Sequence, residues 1–196
     1  MNINEKNIPA SALKINFNLK SFISTLQFKH SIIAYIFILF FTISDAKEPT
    51  LALLKNVYTN NIQKFSIGNT GYTCKAYGVI SIEDLYFKSV ENKICKNSII
   101  DFFRKNKTKK YFSQMLLHVE QLYHIDFIGD ECIIYAKGQK TLSEILLQEG
   151  LAIKKVNFQD EVYKGKFISA QASARKQRKG LWKTTLYKNC FPELNR

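Results

Sequence analysis

The sequence predicts an α+β fold, in which a small antiparallel sheet or barrel is accompanied by helices. Three observations favour it: an alternating segment that turns back on itself at 119–136, a helix capping box at Thr141–Glu144, and a long helical stripe from about Asp160 to Lys179. The chain has 196 residues, of which 46% are apolar and 23% charged, which is a globular rather than a disordered composition. A fixed-period repeat and a heptad array are both absent from the sequence, which excludes solenoids and coiled coils.

The first element is an apolar run at 31–44 that carries no charge. Lysines precede it and Ser44-Asp45-Ala46 follows it, and this order is typical of a secretory signal with a small-residue cleavage site. A spanning helix usually needs about 20 apolar residues, so the run is short for one. We therefore expect an exported protein, periplasmic or extracellular, whose leader at 1–46 is either cleaved or kept as a membrane tether through 31–44.

The next segments are assigned from their hydrophobic periodicity. Residues 51–65 show a helical stripe, although a strand is also compatible with them. Glycines at 66–71 indicate a turn, and β-branched and aromatic residues predict a strand over 72–82. Apolar side chains recur at helical spacing over 90–103, which predicts a helix.

The last elements have clearer start and stop signals. Residues 119–127 alternate, and after the break at Gly129-Asp130 a second strand over 132–136 completes a hairpin. The capping box opens a helix that Gly150 closes, and Gly180 ends the long final helix.

Charge and cysteine content narrow the function classes. Residues 1–46 hold four of the 29 Lys and Arg and two of the 16 Asp and Glu, which leaves 25 basic and 14 acidic side chains, a net charge of +11, in 47–196. Such a surface favours polyanionic partners. The same part holds all four cysteines, and an even number in an exported domain predicts two disulfides with the pairing left open. These disulfide candidates are Cys74, Cys95, Cys132 and Cys190. The spacing of these cysteines does not match that of a zinc site.

In the last third of the chain, the predicted elements contain specific sequence motifs. Three short motifs closely resemble the end of the staphylococcal nuclease (thermonuclease) family domain; they are Tyr135-Ala136-Lys137-Gly138, Gly150-Leu151-Ala152 and Gly180-Leu181-Trp182. The resemblance covers roughly residues 70 to 183. It implies a five-stranded OB-type β-barrel with about three α-helices.

The resemblance is weaker in the segments that correspond to the family's catalytic residues. The family's active strand reads approximately Arg-Leu-Tyr-Gly-Ile-Asp-Ala-Pro-Glu, and the most similar segment here is 75–83. On that overlay Lys75 stands for the phosphate-binding arginine and Glu83 for the glutamate that activates water. Ile80 replaces a calcium-binding aspartate. The family also has an Asp-Gly-Asp-Thr calcium loop, and the most similar stretch here, 67–70, lacks a carboxylate. A second arginine of the family should precede the strand with Tyr135-Ala136, but residues 128–131 contain no basic residue.

Two basic segments favour nucleic-acid contact, because cations interleaved with aromatics can bind phosphates while bases stack. The first holds five cations within 104–110 and is followed by aromatic residues. The second lies in the final helix, within a stretch from Val162 to Pro192 that has eight basic residues and no acidic one. The predicted nucleic-acid-binding residues are Arg104, Lys105, Lys107, Lys109, Lys110, Tyr111, Arg175, Lys176, Arg178 and Lys179.

The sequence therefore predicts an exported thermonuclease-like domain that binds DNA or RNA through basic faces, with phosphodiester hydrolysis weak or lost. One alternative is an active, divergent, metal-dependent nuclease that uses Glu83 and Lys75, with Ca²⁺ as the implied cofactor. Another is a non-catalytic envelope interaction protein. The predicted domains are a leader at 1–46, an N-terminal extension at 47–70, the OB domain at 71–183 and a C-terminal tail at 184–196. The oligomeric state is left open.

Overall fold

The fold is described from a computed structural model for residues 49–194, so the predicted leader lies outside the described residues. The strands are β1 (Thr50–Val57), β2 (Ile62–Ile67), β3 (Thr70–Ala76), β4 (Val79–Ser81), β5 (Leu122–Ile128), β6 (Glu131–Lys137), β7 (Lys140–Thr141) and β8 (Ala152–Lys154). The helices are α1 (Ile82–Lys88), α2 (Lys93–Lys105), α3 (Lys107–Lys110), α4 (Phe112–Leu116), α5 (Leu142–Gln148), α6 (Lys164–Lys176) and α7 (Thr184–Leu194), with a 3₁₀ turn at Gly180–Trp182.

Five strands close into a barrel. β1, β2 and β3 form an antiparallel meander, β1 also pairs with β5, and β5 pairs with β6. The barrel closes where β3 and β6 run parallel, at Lys75 opposite Glu131 and Ala76 opposite Cys132. This closed five-stranded barrel with several helices confirms the predicted OB-type α+β fold. Within the described residues, three helices exceed ten residues, namely α2, α6 and α7.

The helical interpretation of 51–65 is wrong, since that segment forms β1 and β2. In β1 the side chains alternate, with Ala52 and Leu54 buried and Leu51 exposed, which is the period of a half-buried strand. The turn Tyr58–Asn61 separates the two strands. Residues 47–70, which the sequence sets apart as an extension, thus supply two strands of the barrel.

The strand predicted over 72–82 is broken at Gly78, which adopts a left-handed φ of +70°. β3 ends before it and the short β4 follows, paired with β8. Phe158 packs so close to Gly78 that a Cβ there would lie 2.3 Å from its ring. Only glycine fits this position, because both the backbone angle and the space exclude a side chain.

The predicted hairpin and capping box are both confirmed. β5 and β6 pair from Ile125 opposite Ile134 to Ile128 opposite Glu131. At the start of α5 the Thr141 hydroxyl accepts a hydrogen bond from the backbone N–H of Glu144, and the Glu144 carboxylate accepts one from the backbone N–H of Thr141. These reciprocal bonds satisfy two N–H groups that a helix start leaves without partners.

The four cysteines form two disulfides, Cys74–Cys132 and Cys95–Cys190. The first joins β3 to β6 at the barrel closure. The second joins α2 to α7, so residues 184–194 of the predicted C-terminal tail form a helix held against the domain. Two disulfides are consistent with an oxidising environment. Within residues 49–194, no helix has the length and apolar character needed to cross a membrane.

Candidate nucleic-acid interface

A groove of about 790 Å³ lies beside the barrel, between the β1–β2 turn and the helices α1, α2 and α3. Its lining combines aromatic and aliphatic side chains, three cations and one carboxyl group. The lining residues are Thr59, Glu83, Tyr86, Phe87, Ile99, Ile100, Phe103, Arg104, Lys107, Lys110 and Tyr111. The groove therefore brings Glu83 together with four of the predicted nucleic-acid-binding residues, although they are far apart in the sequence.

Glu83 lies in the first turn of α1, which begins with a capping box between Ser81 and Asp84. One Glu83 oxygen accepts hydrogen bonds from the Asn60 side-chain amide at 2.6 Å and from the Asn60 backbone N–H at 3.4 Å. The other oxygen is buried, and no described residue donates a hydrogen bond to it. Burial raises the pKa of the Glu83 carboxyl and outweighs the hydrogen bonds, which act in the opposite direction.

Asn60 connects Glu83 to the first basic segment. Its side-chain amide also donates to the backbone carbonyl of Lys109 at 2.9 Å, and its side-chain oxygen accepts from the backbone N–H of Ser113 at 2.9 Å. The Ser113 hydroxyl donates to the Asn60 backbone carbonyl at 2.6 Å. Asn60 is 1% exposed, so these bonds replace the water that its polar atoms would otherwise bind.

The cations on the groove are mostly available for a ligand. Arg104 makes an exposed ion pair with Asp101 one helical turn away, and such pairs contribute little. Lys110 lies over the Tyr111 ring, 5.4 Å from its centroid, and that ring is itself 46% exposed. Lys107 is exposed at the groove, and Lys105, two residues before it in the sequence, is also exposed. Exposed cations beside an exposed ring are the arrangement that phosphate contact and base stacking require.

Lys109 has a different environment from its neighbours. Lys109 and Lys179 both donate to the Glu149 carboxylate, Lys179 at 2.9 Å. Burial acts to raise the pKa of Glu149, but the two lysines outweigh it and hold that pKa below its ordinary value. Glu149 thus joins the two predicted basic segments, and it withdraws one lysine of each from free polyanion contact.

The remaining predicted residues, at the end of α6 and just after it, lie on a separate surface. The Arg175 guanidinium stacks over the Trp182 ring at 4.2 Å, while Lys176 and Arg178 are exposed. None of the three lines the groove. The basic end of α6 is therefore a second charged surface, not part of the groove.

Lys75 and Glu83 are not brought together in this groove. Lys75 is exposed on β3 at the barrel closure, and it does not line the groove. Ile80 pairs with Ile153 in the β4–β8 ladder. Residues 67–70 form the β2–β3 turn, whereas the turn that contacts Glu83 is the β1–β2 connection.

The side chains around Glu83 do not fit Ca²⁺, which takes about six to eight oxygen ligands including carboxylates. The adjacent Asp84 uses one carboxylate oxygen to accept bonds from Asn61 and from the backbone and hydroxyl of Ser81. The side-chain oxygen of Asn60 already accepts from Ser113. Among residues 49–194, no group of three His, Cys, Asp or Glu side chains is arranged to hold a metal ion.

The sequence signals missed Asn60, Ser113 and Glu149, which connect the elements of the site. Asn60-Asn61 is a turn signal between two strands. The helical interpretation of 51–65 hid it, because a continuous helix leaves no place for a turn there.

Comparison with known proteins supports the resemblance that the motifs in the last third of the chain indicate. Residues 88–184 match the family model described as staphylococcal nuclease homologue. No curated protein gives a significant match to the chain. The matched segment runs from the end of α1 through the β5–β6 hairpin to the 3₁₀ turn, and the barrel that it completes is the one expected for this family. The chain therefore carries a divergent staphylococcal nuclease-like domain, matched over residues 88–184.

Proposed function

We propose that this is an exported domain that binds single-stranded nucleic acid, DNA or RNA, in the groove, with phosphodiester hydrolysis weak or lost. The observation that carries the proposal is the meeting of Arg104, Lys107, Lys110 and Tyr111 on one groove with an apolar floor. The three cations would contact phosphates, and Tyr111 would stack on a base. A single strand exposes its phosphates and its bases together, whereas a duplex keeps its bases stacked inside.

Weak hydrolysis follows from what the groove lacks. Phosphoryl transfer needs positive groups held against the charge that develops on the phosphoryl oxygens. Lys75 lies elsewhere on the barrel, and the side-chain oxygens around Glu83 do not suit calcium coordination. Glu83 also keeps one oxygen occupied by Asn60 and the other buried.

The test is fluorescence anisotropy of labelled oligo(dT) and oligo(U) over a series of salt concentrations. The variant Arg104→Gln/Lys107→Gln/Lys110→Gln should lower affinity at least about tenfold at low salt and reduce the salt slope by about 2, since each single-strand phosphate contact contributes about 0.7. The control Lys64→Gln/Lys137→Gln/Lys188→Gln removes the same charge from exposed positions outside the groove. Equal effects of the two variants would show that binding depends only on net charge, and would contradict nucleic-acid binding in the groove.

Tyr111→Ala separates stacking from charge. It should weaken binding by about 1–3 kcal/mol while leaving the salt slope unchanged. Tyr58→Ala is the matched control, because Tyr58 is 50% exposed and does not line the groove. Wild-type affinity in the Tyr111 variant would contradict stacking.

A second candidate function is a divergent nuclease, favoured by the position of Glu83 on the groove and by its raised pKa, since a carboxyl that holds its proton more tightly is a better candidate for general acid–base catalysis. An in-gel nuclease assay with Ca²⁺ or with EDTA distinguishes the two candidates. Activity that Glu83→Gln abolishes would establish the enzyme and overturn the proposal of weak hydrolysis.

A further inference from the structure

The corner between α1 and α2 exposes three large apolar side chains within eight residues. Phe87 is 67% exposed, Val90 72% and Ile94 67%. Single exposed apolar residues are ordinary on protein surfaces, but several at one corner mark an interaction site.

The corner is built to hold its shape. The buried Ser89 hydroxyl donates to the Leu85 carbonyl at 2.5 Å and contacts the sulfur of Cys95 at 3.2 Å. Asn92 caps α2 by accepting from the backbone N–H of Cys95, and its amide donates to the Asn189 carbonyl at 3.2 Å. The Cys95–Cys190 disulfide fixes the same turn of α2 to α7. The backbone that carries Val90 and Ile94 is therefore anchored on both sides, and the two side chains are held facing water.

Lysines surround these apolar side chains. Lys88 and Lys93 are exposed, and Lys96 lies over the Tyr86 ring, 4.9 Å from its centroid. Glu91 is the one acidic residue between 85 and 100, so the segment carries a net positive charge. An apolar tip ringed by lysines is complementary to an anionic bilayer surface, where apolar groups enter the acyl boundary and lysines bind phosphates.

The small size of the corner favours a membrane over a protein partner. A stable protein interface buries about 800 Å² on each side, through about 20 residues or more. Three apolar side chains provide far less than that. Peripheral contact with a membrane needs only a few inserted side chains together with electrostatic attraction.

We propose that the α1–α2 corner docks on anionic phospholipid surfaces, with Val90, Ile94 and Phe87 inserted and Lys88 and Lys93 on the headgroups. This activity goes beyond nucleic-acid binding. Phe87 also lines the groove, whereas Val90 and Ile94 do not, so a variant at these two positions alone separates the two activities.

The experiment uses the full-length chain and vesicles of phosphatidylcholine alone or with about a third phosphatidylglycerol. Cosedimentation measures the extra partitioning that phosphatidylglycerol produces, and the leader contributes equally to every variant. Val90→Ser/Ile94→Ser should lower this increment about tenfold, since two apolar side chains no longer leave water. The control Val156→Ser/Val162→Ser alters side chains that are 68% and 66% exposed elsewhere and should bind like wild type.

A local measurement completes the test. Hydrogen exchange on the wild-type chain should slow at 86–94 when anionic vesicles are added and stay unchanged with phosphatidylcholine vesicles. Nucleic-acid affinity of Val90→Ser/Ile94→Ser should equal that of the wild type, whatever the outcome for the groove. Unchanged vesicle binding in that variant, or unchanged exchange at 86–94, would overturn the proposal.

Discussion

Asn60 shows how one buried side chain can position a whole site. It accepts from Ser113 and donates both to Glu83 and to the Lys109 carbonyl, so a single carboxamide holds three segments of chain together. The bond to Ser113 also fixes the orientation of the amide, because a backbone N–H requires an oxygen opposite it. Asn60 therefore bonds both the Glu83 carboxyl and the cationic helix α3 and holds them in their relative positions.

We expect Asn60→Ala to lower the free energy of unfolding by about 3 kcal/mol, because it leaves buried donors and acceptors without partners. Urea denaturation monitored by circular dichroism measures this loss. Asn97→Ala is the control, since Asn97 is exposed on α2 and its replacement should change stability by less than about 0.5 kcal/mol. A similar small loss in both variants would show that the Asn60 network contributes little.

Glu83 should make stability depend on pH. Burial raises the pKa of its carboxyl above the ordinary value of 4.5, so the folded chain holds this proton more tightly than the unfolded chain does. Between the ordinary value and the raised one, the folded state binds more protons. The free energy of unfolding therefore falls as pH rises through that window, and it is highest below pH 4.5 as far as this group is concerned.

Glu83→Gln should remove this dependence. Urea denaturation from pH 4 to pH 8 should show the variant gaining stability relative to wild type as pH increases. The exposed Glu161 gives a matched control, because Glu161→Gln changes the same chemical group without burial. A constant difference between Glu83→Gln and wild type across this range would contradict the raised pKa.

At the scale of elements, the two Gly-Leu motifs pack against each other. Gly150 and Gly180 both have left-handed φ angles, +67° and +51°, and the Leu181 backbone N–H donates to the Gly150 carbonyl at 2.8 Å. A Cβ on Gly180 would lie 2.1 Å from that same carbonyl oxygen. The end of α5 and the turn after α6 can therefore approach only through these two glycines.

Gly180→Ala should lower the free energy of unfolding by about 3 kcal/mol, from backbone strain together with displacement of the Gly150 carbonyl. Gly165→Ala is the control, because a Cβ at this position in α6 would meet no atom within 4 Å. Alanine there should raise stability by roughly 0.5–1 kcal/mol, since it favours the helix. Thermal denaturation measures both, and a neutral Gly180 variant would contradict the tight contact.

Sequence patterns predicted those elements whose signals are local. The capping box at Thr141 and the hairpin at Gly129-Asp130 each depend on a few adjacent residues. The helix predicted from about Asp160 to Lys179 is shorter, Lys164–Lys176, because the backbone leaves the helical conformation before Gly180, at Arg178 with its φ of +51°. The first two strands were missed because Leu51, Leu54 and Phe65 suit both helical and strand periods over a short stretch. The groove was beyond sequence reasoning altogether, because the contacts of Asn60 with Glu83 and Ser113 depend on how three separate segments pack.

At the scale of the molecule, the barrel depends on a short seam. Four of its five strand pairs are antiparallel ladders with four or more paired positions, but β3 and β6 pair at only two. The backbone bonds of this seam include those from the Lys75 N–H to the Asp130 carbonyl and from the Tyr77 N–H to the Cys132 carbonyl. The Cys74–Cys132 disulfide crosses the same seam, so it supplies covalently what the ladder lacks in length.

Cys74→Ala/Cys132→Ala should therefore open the barrel locally as well as lower its stability. The disulfide closes a loop with a sequence separation of 58, and its loss should cost about 4 kcal/mol. Hydrogen exchange should accelerate most at the Lys75 and Tyr77 amides. Cys95→Ala/Cys190→Ala is the matched comparison, because it removes a disulfide of longer separation, 95, and should accelerate exchange in α7 instead. If both variants accelerated the same amides, the disulfides would act on the unfolded chain alone, and the seam would be stable without its covalent link.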